Sequence, residues 1–221
     1  MDTVLSVEAA RAHYDALGQG QDREMRYAEA AFSRLIGAVE FSGVRSVVEL
    51  GPGTGMLAAR LLRDCLDPEA TWQGLDISRR MRELAAERLA AFGDRVRLDD
   101  CAGDGRLALP DASTDLVVAT YVLDLLSPAA IARFLEDASR ILKPGGQLAV
   151  AGLAPGTFSH AGLTMTVWTM VQRVAPRLVG GCRPVRLEQR LDPQVWQSTH
   201  RSRVAAGGIP SSVLVARLRG R

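Results

Sequence analysis

Three carboxylates and a glycine-rich turn are the residues of this chain best placed to do chemistry together. Glu49 lies in a short apolar run, Ser46-Val47-Val48-Glu49-Leu50, and Gly51-Pro52-Gly53-Thr54-Gly55 follows directly. Glycines at such a turn let the backbone bend sharply and come close to a ligand. The spacing is G-x-G-x-G. Met56 stands where a dinucleotide binder needs its third glycine, and the Gly-Lys-Ser/Thr of a P-loop is absent. An acid beside the turn would repel a pyrophosphate and suits a cationic amine. Asp76, near the end of the run from Thr71 to Ile77, is set to accept hydrogen bonds from both hydroxyls of a ribose. Asp104, in Ala102-Gly103-Asp104-Gly105, can accept from an exocyclic adenine amine, although Asp-Gly is also an ordinary turn signal. Together these residues suit a ligand with an amine, a ribose, an adenine and no phosphate.

The elements that position them follow from periodicity. Ser6 caps a helix to about Leu17, with Val7, Ala10 and Tyr14 at helical spacing. Asp22 starts a second helix, to about Phe41, with Phe32, Leu35, Ile36 and Val39 on one stripe. Strands are predicted at 46–50, 71–77, 96–98, 115–120 and 147–153. Helices fall between them at Met56 to Leu66, Arg79 to Phe92 behind a Ser78 cap, and onward from Ser127-Pro128 to the stop signal Lys143-Pro144-Gly145-Gly146. Strands alternating with helices mean βαβ units, a mainly parallel sheet and a doubly wound, Rossmann-like α/β fold. Carboxyl ends of parallel strands are where such folds bind ligands. In the last third, Pro184 to Leu191 reads as a short helix. Val195 to Ala205 and Ser212 to Leu218 read as an antiparallel strand pair joined by Gly207-Gly208-Ile209-Pro210. The expected layout is one domain: a helical cap over 1–44, a ligand-binding core over 45–153, and a lid with the C-terminal hairpin over 154–221.

Composition narrows the class. The chain has 221 residues, 47% hydrophobic and 24% charged, enough for one sizeable core. A net charge of +2 gives no sign of a nucleic-acid binder. From Arg183 onward, however, eight arginines face only Glu188 and Asp192. That surplus is either a solvated strand face or a surface for an anionic partner such as phospholipid. Cys65, Cys101 and Cys182 form no CxxC pair and no metal-ligand spacing, which favours a reducing cytoplasm and no metal. No secretory signal is read at the start, and the apolar stretch from Leu163 to Val179 is interrupted by Gln172, Arg173, Pro176 and Arg177.

From Val47 through Gly55, the chain resembles the class I S-adenosylmethionine-dependent methyltransferases. The likeness continues at Gly74-Leu75-Asp76-Ile77-Ser78, Gly103-Asp104, Leu109-Pro110-Asp111 through Val118, and Ile141-Leu142-Lys143-Pro144-Gly145-Gly146. Within that family it looks like the ubiquinone/menaquinone-biosynthesis-like, methyltransferase type 11-like branch. The resemblance implies S-adenosylmethionine as cofactor and S-adenosylhomocysteine as product. It places the methionine end at Glu49, Gly51, Gly53 and Gly55, the ribose at Asp76, and the adenine near Gly103, Asp104 and Gly105. Thr120 is implied at the same site, and Ile77 and Met81 would pack on the adenine. Asp124 stands where many relatives carry His.

A sulfonium methyl group is already activated, so alignment is the main task, and in-line positioning supplies roughly 7–11 kcal/mol of the barrier at most. A base is needed only for a protonated nucleophile, and Asp124, Tyr121 and Tyr14 are the candidates. The fourth strand lacks the Asn/Asp-Pro-Pro-Tyr/Phe motif of amino-methylating nucleic-acid enzymes. The apolar segment 164–179, with Trp168, could line a greasy pocket, which points to a small hydrophobic acceptor such as a quinone precursor, lipid or secondary metabolite. Two other readings remain: a non-catalytic S-adenosylmethionine sensor or assembly module, and an NAD-dependent oxidoreductase.

Overall fold

The structure, a computed structural model, describes residues 4–155 and 181–220. Three short helices come first: α1 (Val7–Leu17), α2 (Gly20–Glu24) and α3 (Glu29–Ile36). Then follow β1 (Ser46–Leu50), α4 (Met56–Arg60), β2 (Thr71–Asp76), α5 (Arg79–Leu89), β3 (Val96–Asp100) and β4 (Thr114–Thr120). The chain continues through α6 (Pro128–Ile141), β5 (Leu142–Leu153), β6 (Trp196–Ala206) and β7 (Ile209–Leu218). Among the described residues, no helix is long and apolar enough to cross a membrane.

One seven-stranded sheet runs in the order β3-β2-β1-β4-β5-β7-β6. The first five strands are parallel, and β7 lies antiparallel between β5 and β6. The expected doubly wound sheet with a C-terminal antiparallel pair is therefore present. Side chains alternate across a strand, so β4 sends Leu116 and Val118 to one face and Val117 and Ala119 to the other. The first face is covered by Phe32 and Leu35 of α3 and by Leu57 and Leu61. The second is covered by α6, whose Ile131, Phe134, Leu135, Ala138 and Ile141 recur at helical spacing.

Local chemistry sets most boundaries. Ser6, Ser78 and Ser127 cap α1, α5 and α6 by accepting from Ala9 N, Met81 N and Ala130 N at 3.1–3.2 Å. Gly207 and Gly208, at φ 57° and 78°, make the two-residue turn between β6 and β7.

Three expectations need correction. The helix expected from Asp22 to Phe41 is α2, a 3₁₀ turn at Met25–Ala28 and α3, which stops at Ile36. Its early residues turn aside because Gln21 and Asp22 bond to Thr54 of the glycine loop. Lys143-Pro144-Gly145-Gly146 ends α6, but β5 begins at once at Leu142, and these four residues bulge opposite Asp115, where Lys143 Nζ lies 2.8 Å from Asp115 Oδ1. Pro184 to Leu191 holds a single 3₁₀ turn, Leu187–Gln189, because the Val185 N–H donates to Leu153 O and draws the backbone along the end of β5. Arg183 is buried and donates to Leu126 O, Arg219 donates to Pro193 O, and Arg201 and Arg203 stand exposed on β6. The expectations for Trp168 and the 164–179 segment lie outside the described residues.

Candidate functional site

The carboxyl ends of β1, β2 and β4 open into a cavity of about 390 Å³, roofed by α1 and α2. Ligand sites of this size are ordinary for small molecules. Glu49, Gly51, Gly53, Asp76, Ile77, Met81, Gly103, Gly105 and Thr120 all line it, as do Tyr14 and Tyr121.

Glu49 is 1% exposed, and its Oε2 accepts from Trp72 Nε1 at 3.1 Å. Trp72 reaches it across Gly74, where an added Cβ would come within 2.4 Å of the indole. Burial pushes the Glu49 carboxyl up to about 7, and the neighbouring Asp76 charge adds to this. Asp76 accepts from Ser78 N at 2.8 Å and Gly53 N at 3.1 Å. Burial outweighs those donors and lifts it to about 6. Two buried acids with raised proton affinity, side by side in a cleft, are groups waiting for a cation or for hydrogen-bond donors.

The glycine turn fits closely under the cap. Gly51 and Gly53 have φ of 65° and 56°. A Cβ on Gly51 would lie 2.6 Å from Val122, and one on Gly53 would lie 2.5 Å from Gln21. Val122 is brought there by Tyr121, a non-glycine residue at φ 58° held by its N–H on Ala151 O at 2.7 Å and its hydroxyl 2.8 Å from Ser211 Oγ. From α2, Gln21 and Asp22 reach Thr54, and Asp22 also pairs with Arg88 of α5. Burial opposes ionisation of Asp22, but Arg88 and Thr54 outweigh it and hold its carboxyl below the usual range.

Three expected site residues are placed elsewhere. Gly55 is the left-handed residue that starts α4 and packs on Ala85, outside the cavity wall. Asp104 bends back to accept from Arg106 N at 3.1 Å, so only its glycine neighbours reach the cavity. Asp124, read as a catalytic base, is 1% exposed in the core, accepting from Leu153 N at 2.7 Å and facing Arg183. It does not line the cavity, because the turn after Tyr121 swings it under β5. Tyr14 and Tyr121 do line it, but burial drives both phenols above their ordinary range, so neither gives up its proton near neutrality.

Other lining residues carried no signal in sequence. Gln21 and Asp22 follow the Gly18-Gln19-Gly20 break, and only folding brings them against the turn 32 residues away. The aromatic end of the cavity, where Tyr27 and Phe32 meet Tyr121 edge-on at 5.4 and 6.2 Å, is likewise a long-range product.

The wall holds Asp22, Glu49 and Asp76 and, among the described residues, no lysine or arginine. A phosphate-bearing dinucleotide would meet only negative charge there, whereas a cationic nucleoside fits. Residues 47–146 match the methyltransferase domain family. That match covers just under half of the chain and likens this stretch to the class I S-adenosylmethionine-dependent methyltransferases. The chain is 29% identical over 145 residues to the malonyl-[acyl-carrier protein] O-methyltransferase of Marinomonas sp., a match covering 65% of the chain and 51% of that protein. It is 36% identical over 115 residues to the demethylmenaquinone methyltransferase of Tropheryma whipplei, covering 52% and 42%. The matched stretches thus span about half the length of these curated relatives. Among solved structures, the [4+2]-cyclase SpnF superposes with a TM-score of 0.66 at 17% identity, over 88% of this chain and 82% of that one, a likeness of fold.

Proposed function

We propose that this chain is a class I S-adenosylmethionine-dependent methyltransferase of the ubiquinone/menaquinone-biosynthesis-like branch, binding S-adenosylmethionine in the cavity at the tips of β1, β2 and β4 and passing its methyl group to a small hydrophobic acceptor. The observation that carries this reading is the pairing of buried Glu49 and Asp76 beside a glycine turn, in a wall without arginine or lysine among the described residues. When bound, S-adenosylmethionine supplies a methyl group already activated on a sulfonium.

The residues divide the remaining work. Glu49 faces the cationic methionine end, Asp76 receives the ribose hydroxyls, and Ile77 and Met81 pack on the adenine beside the Gly103 and Gly105 backbone. Helices α1 and α2 exclude water from the roof. Tyr14, Tyr27, Phe32 and Tyr121, with Ile209, make an apolar end that suits an uncharged, ring-bearing acceptor. A quinone precursor fits this end, in line with the name of the Tropheryma whipplei relative. The chain is read as one domain: helical cap, binding core, and the C-terminal third over the acceptor end.

Calorimetry with S-adenosylhomocysteine and with NAD tests the cofactor. Binding of the former alone is expected, and binding of NAD alone would overturn the reading. Turnover of methyl-labelled S-adenosylmethionine against a metabolite panel then separates an enzyme from a non-catalytic sensor.

A further inference from the structure

The chain leaves β5 at Leu153, and the segment from Gly181 to Val185 lies back against that exit, where Val185 N donates to Leu153 O at 3.3 Å. Asp124 stands where the two meet. Its Oδ2 accepts from Leu153 N at 2.7 Å, on the outgoing side. Its backbone carbonyl accepts from Arg183 N at 3.1 Å, on the returning side. Arg183 also donates through Nη2 to Leu126 O at 2.6 Å, and its positive charge favours the ionised form of Asp124.

Both members of this pair are buried, at 1% and 8% exposure. The carboxylate is seated on bare backbone, since a Cβ at Gly152 would come within 2.6 Å of Asp124 Oδ1. One side chain therefore touches the exit of β5 and the return at Arg183 at once. Neutralising either member leaves the other as an uncompensated buried charge, a state far costlier than the intact pair. Opening the returning segment toward water relieves that cost without unfolding the sheet.

The segment held in this way borders the cavity. Cys182, next to Arg183, lines it together with Leu5, Leu125 and Leu126, whereas Asp124 and Arg183 do not. The Cys182 thiol is hydrogen-bonded to the Tyr14 hydroxyl. Gly181, at φ 78°, turns the chain closely over Leu5, which an added Cβ would approach within 2.7 Å. Tyr14 belongs to the apolar end assigned to the acceptor, so Cys182 borders that end.

We propose that Asp124 and Arg183 are positioning residues for the acceptor: together they clasp the segment 181–185 to the end of β5 and so set Cys182 as a wall of the acceptor end. The inference rests on the acceptor placement of the proposed function and deepens it. The shape of that end is then fixed by a pair of charges behind the cavity, and the cofactor wall is independent of it.

Alkylation of the full chain by iodoacetamide at about pH 8, where Asp124 is ionised, followed cysteine by cysteine in a mass spectrometer, tests this. Asp124→Asn keeps an oxygen for Leu153 N without the charge, and Arg183→Met keeps the side chain's length. Each is expected to speed alkylation of Cys182 at least about tenfold, with Cys65, Cys101 and calorimetric S-adenosylhomocysteine affinity changed less than about twofold. The double variant should label Cys182 no faster than the faster single one, because the pair acts as a unit. Saturating naphthol, an uncharged ring-bearing probe, should slow Cys182 alkylation in the unmodified chain at least about threefold. Three cysteines speeding together would mean general loosening and overturn the proposal. An unchanged Cys182 rate, single effects that multiply in the double variant, a parallel loss of S-adenosylhomocysteine, or no protection by naphthol would each overturn it too. If the unmodified chain binds no S-adenosylhomocysteine, the methyltransferase reading fails, while the cysteine rates still decide the clasp.

Discussion

Replacing Glu49 by Gln should make the ligand-free protein more stable above neutral pH while removing its grip on the cofactor. Glu49 has ordinary carboxyl behaviour when unfolded, near 4.5, but burial and the Asp76 charge raise it to about 7 in the folded chain. Below 4.5 both states hold the proton and the site costs nothing. Between 4.5 and 7 the folded state keeps a proton that the unfolded chain has released, so stability falls as pH rises. Above 7 the full penalty applies, about 3 kcal/mol for a group this deeply buried. The amide introduced by Glu49→Gln carries no charge, and its oxygen can still accept from Trp72 Nε1, the bond Glu49 makes at 3.1 Å. Urea denaturation of both proteins without ligand is the assay. Glu49→Gln should be more stable by about 2–3 kcal/mol at about pH 8 and equal within about 0.5 kcal/mol at about pH 4.5. A variant no more stable than the parent at the higher pH, or a gain of the same size at both, would refute the reasoning. The stability lost at this residue is the mark of a site shaped for a cationic partner.

Other outcomes follow from the same geometry. S-adenosylhomocysteine affinity should rise as pH increases through about 7, because its ammonium needs ionised Glu49, and calorimetry in matched buffers on either side of that value reads this. Flat affinity over that range would detach Glu49 from the ligand. Asp76→Ala should weaken S-adenosylhomocysteine at least about tenfold, since two ribose hydroxyls lose an acceptor and the Gly53 and Ser78 N–H groups lose theirs. Unchanged affinity by calorimetry would remove Asp76 from the site. Asp124→Ala should leave that affinity within about twofold yet lower unfolding free energy by about 2–4 kcal/mol, because Leu153 N–H and Arg183 lose a buried partner. A large binding defect without destabilisation would return Asp124 to the site.

The order of elements, and the strand tips that matter, were legible in the residues alone. Caps at Ser6, Ser78 and Ser127, the alternation of β4, and the glycine turn after Glu49 are local signals, and each stands where periodicity placed it. Glu49 and Asp76 could be paired in advance because parallel strands of a doubly wound sheet must end at the same edge. Which carboxylates face the cavity was settled by folding. Asp104 and Asp124 sit on irregular loops whose direction depends on Arg106 and Leu153, and no period encodes a turn of that kind. Likewise Gln21, Asp22, Tyr27 and Phe32 meet the strand tips through packing of the roof, which brings together residues whose separation along the chain leaves no pattern to read.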